Sequence, residues 1–188
     1  LLTAGTASAL VEQGVTKYVN PFIGTGAVDQ NSLMGNTFPG ACVPFGLVQL
    51  SPDVKSKPTG HEPSGYDYSS NRIYGFSHTH LSGTGCVDLL DVLVMPSSRS
   101  LDELSKTDDF SSTFSHANEK ASVGYYQVKL DEDGINAEMT ATLRTGMHRY
   151  TYAAGKASNL VFDMAHSGHW TRNISDAQLR LIDPYTLA

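Results

Sequence analysis

The residues of this chain best suited to chemistry lie in Gly75-Phe76-Ser77-His78-Thr79-His80-Leu81-Ser82-Gly83-Thr84-Gly85. His78 and His80 stand two positions apart, so an extended strand would turn both imidazoles to one face. The Ser-Gly-Thr-Gly run that follows is a turn that glycine makes sterically accessible. A strand ending this way lines a cleft. Its imidazoles and hydroxyls suit a hydroxylated ligand such as a sugar, or a metal ion. Three readings of the pair stay open: hydrogen bonds to a polyol, ligation of a metal, and ties between loops. A metal site needs further ligands. His61, Glu62, Asp88, Asp91 and His166 are candidates, and none stands at a diagnostic spacing.

Other constellations say less. Asp88 and Asp91 are three apart and would face opposite sides of a strand. Inverting glycoside hydrolysis needs two carboxyls about 6.5–9.5 Å apart across the scissile bond, which that arrangement does not offer. Glu62 and Asp67 lie in a separate loop able to reach the same cleft. Ser82, His80 and Asp88 lack a nucleophile-elbow pattern, which argues against a serine hydrolase. Asn20 to Gly26 and Gly35 to Gly40 are glycine-studded loops, each with one phenylalanine, Phe22 or Phe38. Such rings either wall a ligand site or plug the core beneath the loops. Gly24-Thr25-Gly26 is followed by no lysine or helix start, so it is not a phosphate loop. Trp170, beside His166 and His169, suits a stacking platform and a core cover equally well.

The elements that must position these residues are short strands. Val43–Leu50, Ile73–Leu81 and Leu89–Met95 read as strands, with Pro44 confining the first to an edge or a bulge. Leu101–Lys106 reads as a helical turn and Asp108–Ala121 as a polar loop. From Tyr126 onward the pattern is a meander. Tyr126, Val128 and Leu130 alternate with Gln127 and Lys129, and Asp131-Glu132-Asp133-Gly134 forms a tight turn. Ile135, Ala137, Met139, Ala141 and Leu143 then alternate with polar residues, the clearest period-2 signal in the chain. His148–Ala153, Asn159–Met164 and Ile174–Ile182 read as further strands. About eight short strands with almost no helix predict an all-β fold, an antiparallel β-sandwich. No closing element follows the last strand, so the sandwich is expected to be truncated.

Composition narrows the function. The 188 residues are 40% hydrophobic and 17% charged, which excludes a disordered chain. No run reaches the roughly 18 apolar residues of a membrane helix. A net charge of −6 argues against a nucleic-acid binder, which needs a basic face. Ala7-Ser8-Ala9 fits the small-residue pattern of a signal-peptide cleavage site. Residues 1–9 are therefore expected to be a leader remnant, and the chain to be exported to the periplasm or the cell exterior. Two cysteines, Cys42 and Cys86, allow either one bridge or two free thiols.

Taken together, the motifs resemble the amino-terminal domain of glycoside hydrolase family 92, the exo-acting α-mannosidases. The likeness is carried by Tyr18 to Gly26, Thr37 to Gly46, Gln49-Leu50-Ser51-Pro52-Asp53, Gly65-Tyr66 and the Gly75–Gly85 segment. It continues through Asp88 to Pro96, Gly124-Tyr125-Tyr126, Ala141-Thr142 and His148-Arg149-Tyr150. The resemblance implies that residues 10–188 are part of a β-sandwich domain packed on a carboxy-terminal (α/α)6 barrel absent from this chain. It implies an inverting, calcium-dependent enzyme whose acid, base and most calcium ligands come from the barrel, so this part holds no catalytic residue and no metal. Many family members carry a tryptophan before Gly65-Tyr66, where this chain has Gly60-His61-Glu62-Pro63-Ser64. A polar pair there puts the usual α-1,2 preference in doubt.

The reading is thus a fragment of an α-mannosidase acting on mannose-containing glycans, itself inactive, forming one wall of the sugar pocket. His78, His80, Ser82 and Thr84 are expected to line that pocket with Phe22 and Phe38, and His61 and Glu62 to face the leaving sugar. Two rivals stand beside it. One is a non-catalytic carbohydrate-binding module, and the other a cupin-like metal enzyme using His78 and His80.

Overall fold

A computed structural model describes residues 14–26, 35–54, 63–86, 88–168 and 174–188. The expected leader remnant, His61, Glu62, His169 and Trp170 lie outside the described residues.

In chain order the strands are β1 (Ala41–Cys42), β2 (Gln49–Asp53), β3 (Arg72–Ile73), β4 (Gly75–Ser77) and β5 (Leu93–Ser97). A one-turn helix α1 (Leu101–Leu104) precedes β6 (Ser112–Thr113), β7 (Glu119–Ser122), β8 (Tyr125–Leu130), β9 (Ile135–Ala141) and β10 (Gly146–Thr151). β11 (Asn159–Asp163), β12 (Leu181–Asp183) and β13 (Thr186–Leu187) complete the series. Two antiparallel sheets face each other, ordered β1-β2-β4-β5-β11 and β10-β9-β8-β7. β3 pairs with β6 and β12 with β13 as separate ribbons. The expected all-β sandwich is the fold observed.

The meander forms as its alternation dictates. Tyr126 pairs with Met139, Val128 with Ala137 and Leu130 with Ile135 across β8 and β9. All six side chains are buried in one core with Ala41, Leu50, Phe76 and Met95 of the facing sheet. Gly134 closes the hairpin at φ 66°, a conformation that favours glycine. The intersheet burial is the main source of stability. Leu130→Ala is expected to cost about 2–5 kcal/mol, read as a shifted midpoint in denaturant unfolding at unchanged slope.

Elsewhere the structure corrects the sequence reading. The strand expected over Ile73–Leu81 is broken into β3 and β4 and ends at Ser77. The one expected over Leu89–Met95 starts only at Leu93, because Leu89, Leu90 and Val92 have φ of 65°, 63° and 58°. Extended backbone is impossible there. The polar stretch 108–121 is not all loop, for it contains β6 and most of β7. Of Ile174–Ile182 only the end is strand, and it pairs with β13 rather than with the sandwich. The turn at Leu101 is helical, closed by a reciprocal Ser100–Glu103 capping box. Cys42 and Cys86 are free thiols.

Candidate functional site

The site starts from Asp53, the last residue of β2. Strand alternation puts Ser51 and Asp53 on one face, and the pairing of Ser51 with Ser77 adds Ser77 to it. Loops cover this polar face, leaving the Asp53 side chain 0% exposed. A buried carboxylate needs partners, and it has two imidazoles. His80 Nε2 lies 3.1 Å from Oδ1, and His166 Nε2 lies 2.9 Å from Oδ2. His80 Nδ1 is 2.7 Å from the Gln49 carbonyl, so that nitrogen carries a proton. Its Nε2 is also 3.1 Å from the Ser77 hydroxyl. Burial opposes ionisation of Asp53, but the hydrogen bonds from His166 and His80 outweigh it and hold the carboxyl below the ordinary range. Burial likewise disfavours a charged His166, and its bond to Asp53 overrides this and raises its pKa.

The covering loops are built for close approach. A Cβ on Gly65, at φ +81°, would stand 2.3 Å from Asp53 Oδ1. The same loop is anchored by Tyr66, whose hydroxyl donates to the buried Glu119 carboxylate at 2.9 Å, alongside Tyr126 at 2.6 Å. Phe38 lays its ring against His80, centroids 4.8 Å apart. Leu90, 0% exposed, stands beside the same glycine, its Cδ2 3.0 Å from where a Cβ on Gly65 would lie. Asp53 and Glu119 are therefore both committed to donors inside the protein and are not available as acid or base for a bound sugar.

The geometry separates the two histidines that the sequence set side by side. Because β4 ends at Ser77, His78 and His80 do not share a strand face. His80 is 2% exposed and turned inward. His78 is half-buried and turned the other way, its Nε2 3.1 Å from His148 Nε2 on β10. The pair does not converge on one point, which removes the geometry a cupin-like His78–His80 site would need. Asp88 and Asp91 belong to the irregular segment before β5, where Thr79 donates to Asp91 Oδ2 at 3.2 Å.

Ser82 is exposed and Thr84 half-buried in the loop after His80, and that loop is tied to the Gly35–Gly40 loop by Gly83 N–H donating to the Asn36 carbonyl at 2.7 Å. Phe22 is half-buried and meets Tyr68 edge-on at 5.6 Å. Asp53, Gly65 and His148 carry the geometry without having been weighed individually as site residues. The available signal was a lone aspartate at the end of an apolar and hydroxyl-rich strand, which demands a partner.

Calcium takes six to eight oxygen ligands. Among the described residues no group of three or more His, Cys, Asp or Glu side chains could hold a metal ion. Both Asp53 oxygens are already engaged by imidazoles.

Residues 18–187 match the family profile described as the glycosyl hydrolase family 92 N-terminal domain. The chain belongs to glycosyl hydrolase family 92. It is similar in structure to the family 92 α-mannosidase BT3965 of Bacteroides thetaiotaomicron, solved with mannoimidazole. The TM-score is 0.72 at 40% identity, over 81% of this chain and 20% of that one. The family 92 inverting mannosidase BT2199 of the same organism gives 0.62 at 26% identity, over 79% and 19%. An uncharacterised secreted glycosidase of Arthroderma benhamiae is 29% identical over 168 residues, 85% of this chain and 20% of that protein. The chain thus spans about a fifth of the length of the relatives it matches. Among the described residues no helix is long and apolar enough to cross a membrane.

Proposed function

We propose that this chain forms one wall of the sugar pocket of an exo-acting, inverting α-mannosidase that removes terminal mannosyl units from glycans. The observation that carries the reading is the 40% identity over 81% of the chain with BT3965, an α-mannosidase solved with mannoimidazole. In this reading His78, Ser82 and Thr84, with Phe22 and Phe38, stand on the loops nearest the mannosyl ring, and His61 and Glu62 stand toward the leaving sugar. His80 acts from behind, fixing Phe38 and the loops through Asp53. The partner is an (α/α)6 barrel, which supplies the acid that protonates the glycosidic oxygen and the base that activates water on the opposite face of the ring. Calcium dependence belongs to the barrel. The protein is exported, to the periplasm or the cell exterior, in keeping with the secreted relative.

The test is the first anomer formed. In the enzyme completed by its barrel, hydrolysis of an aryl α-mannoside is expected to release β-mannose first, followed by proton NMR before mutarotation. Initial α-mannose would refute inversion. Mannose binding with no hydrolysis would favour a non-catalytic carbohydrate module instead.

A further inference from the structure

His78 follows β4 of the five-stranded sheet, and His148 stands on β10, the edge of the four-stranded one. Their Nε2 atoms are 3.1 Å apart. The other nitrogen of each ring already faces an oxygen. His78 Nδ1 is 2.7 Å from the Val92 carbonyl, and His148 Nδ1 is 2.8 Å from the Tyr150 hydroxyl. A carbonyl only accepts, so His78 carries its proton on Nδ1 and turns the lone pair of Nε2 toward His148. The Tyr150 hydroxyl either donates or accepts. When it donates, His148 keeps its proton on Nε2, and that proton lies between the rings. When it accepts, both Nε2 lone pairs face each other, and a cation is needed between them.

An imidazole whose Nδ1–H is held by an oxygen while Nε2 stays open is how proteins present a metal ligand. The separation fits as well. Two nitrogens each about 2.0–2.1 Å from zinc, at an angle between a right angle and tetrahedral, lie about 3 Å apart. We propose that His78 and His148 form a two-imidazole site for a divalent transition-metal ion of the zinc class, clipping the two sheets together at this edge. Both residues are half-buried. Among the described residues no third His, Cys, Asp or Glu joins them to complete a cluster, and water or an external ligand fills the open positions. Nitrogen donors select against calcium, so this ion is distinct from the one assigned above to the barrel, and the proposal does not rest on the mannosidase reading. Binding moves the His148 proton from Nε2 to Nδ1 and turns the Tyr150 hydroxyl into an acceptor, with no net proton release.

The experiment titrates zinc chloride into the metal-stripped protein at neutral pH by calorimetry, with histidine nitrogen NMR on the same sample. One zinc per chain is expected, with the Nε2 resonances of His78 and His148 shifting together. Loss of an outer oxygen partner costs about 10–100-fold in metal affinity. Tyr150→Phe should therefore weaken binding by about tenfold, and His148→Gln, which removes a ligand, by more than about 100-fold. Zinc that leaves either ring unshifted in the unaltered protein overturns the site. So does an affinity unchanged in folded His148→Gln. The NMR result needs no variant, so it decides the matter even where a substituted chain does not fold.

Discussion

Asp53→Asn is expected to lower stability by about 3–5 kcal/mol, the cost of leaving the partners of a buried ion pair uncompensated. The loss is largest in mildly acidic solution. Asp53 is held below its ordinary value of 3.8. Its contribution is therefore complete above that value and lost as pH falls through the lowered pKa. His166 is raised above its ordinary value of 6.5. Its contribution is complete below that value and lost as pH rises through the raised pKa. Both act fully between 3.8 and 6.5, and there the gap between parent and variant is widest. Asparagine keeps the shape and removes the charge, so the cost is electrostatic rather than a cavity. Denaturant melts of both proteins across pH check this. A gap that stays flat from acid to alkaline pH would mean that His166 bears no charge in the fold and that the network is a neutral hydrogen-bond cluster.

The same residue shows why part of the molecule was legible in the sequence and part was not. The β8–β9 hairpin needs only alternation and a glycine turn, and both are local. The start of β5 is set elsewhere. Leu89, Leu90 and Val92 carry no local sign of a left-handed backbone. They are held in it by long-range bonds, from His78 N–H to the Asp91 carbonyl at 3.0 Å and from Leu90 N–H to the Thr79 carbonyl at 2.9 Å. Those same bonds draw the chain off its strand after Ser77, so a two-residue spacing no longer means one face. The polar segment before β8 hid strands because the buried residues of β6 and β7, Ser112 and Glu119, are satisfied by partners rather than being apolar. The site pairings themselves span 27 residues for His80–Asp53, 70 for His148–His78 and 113 for His166–Asp53. No pattern within a strand reports contacts at that range. The motifs that carried the family resemblance contain Asp53 and His148 all the same, which is why membership was legible where geometry was not.

Gly65→Ala is the second large effect, expected to cost about 2–5 kcal/mol. Two terms add. At φ +81° a side chain brings left-handed strain of about 1–2 kcal/mol. The new Cβ would also stand 2.3 Å from Asp53 Oδ1 and 3.0 Å from Leu90 Cδ2, an overpacking worth about 1–3 kcal/mol. Ordinarily a side-chain oxygen swings aside from such a contact. Asp53 cannot, because moving Oδ1 breaks the contact to His80 and tilts Oδ2 away from His166. The glycine and the carboxylate should thus be coupled, and a double-mutant cycle measures the coupling. In an Asp53→Ala background the oxygen is gone, and only the backbone term and the milder contact to Leu90 Cδ2 survive, so Gly65→Ala should then cost less, about 1–3 kcal/mol. Equal costs in the two backgrounds would mean that backbone conformation and Leu90, not the carboxylate, reserve this position for glycine. A smaller cost without the carboxylate would show that the loop is shaped around the Asp53 side chain, which its two imidazole partners hold in place.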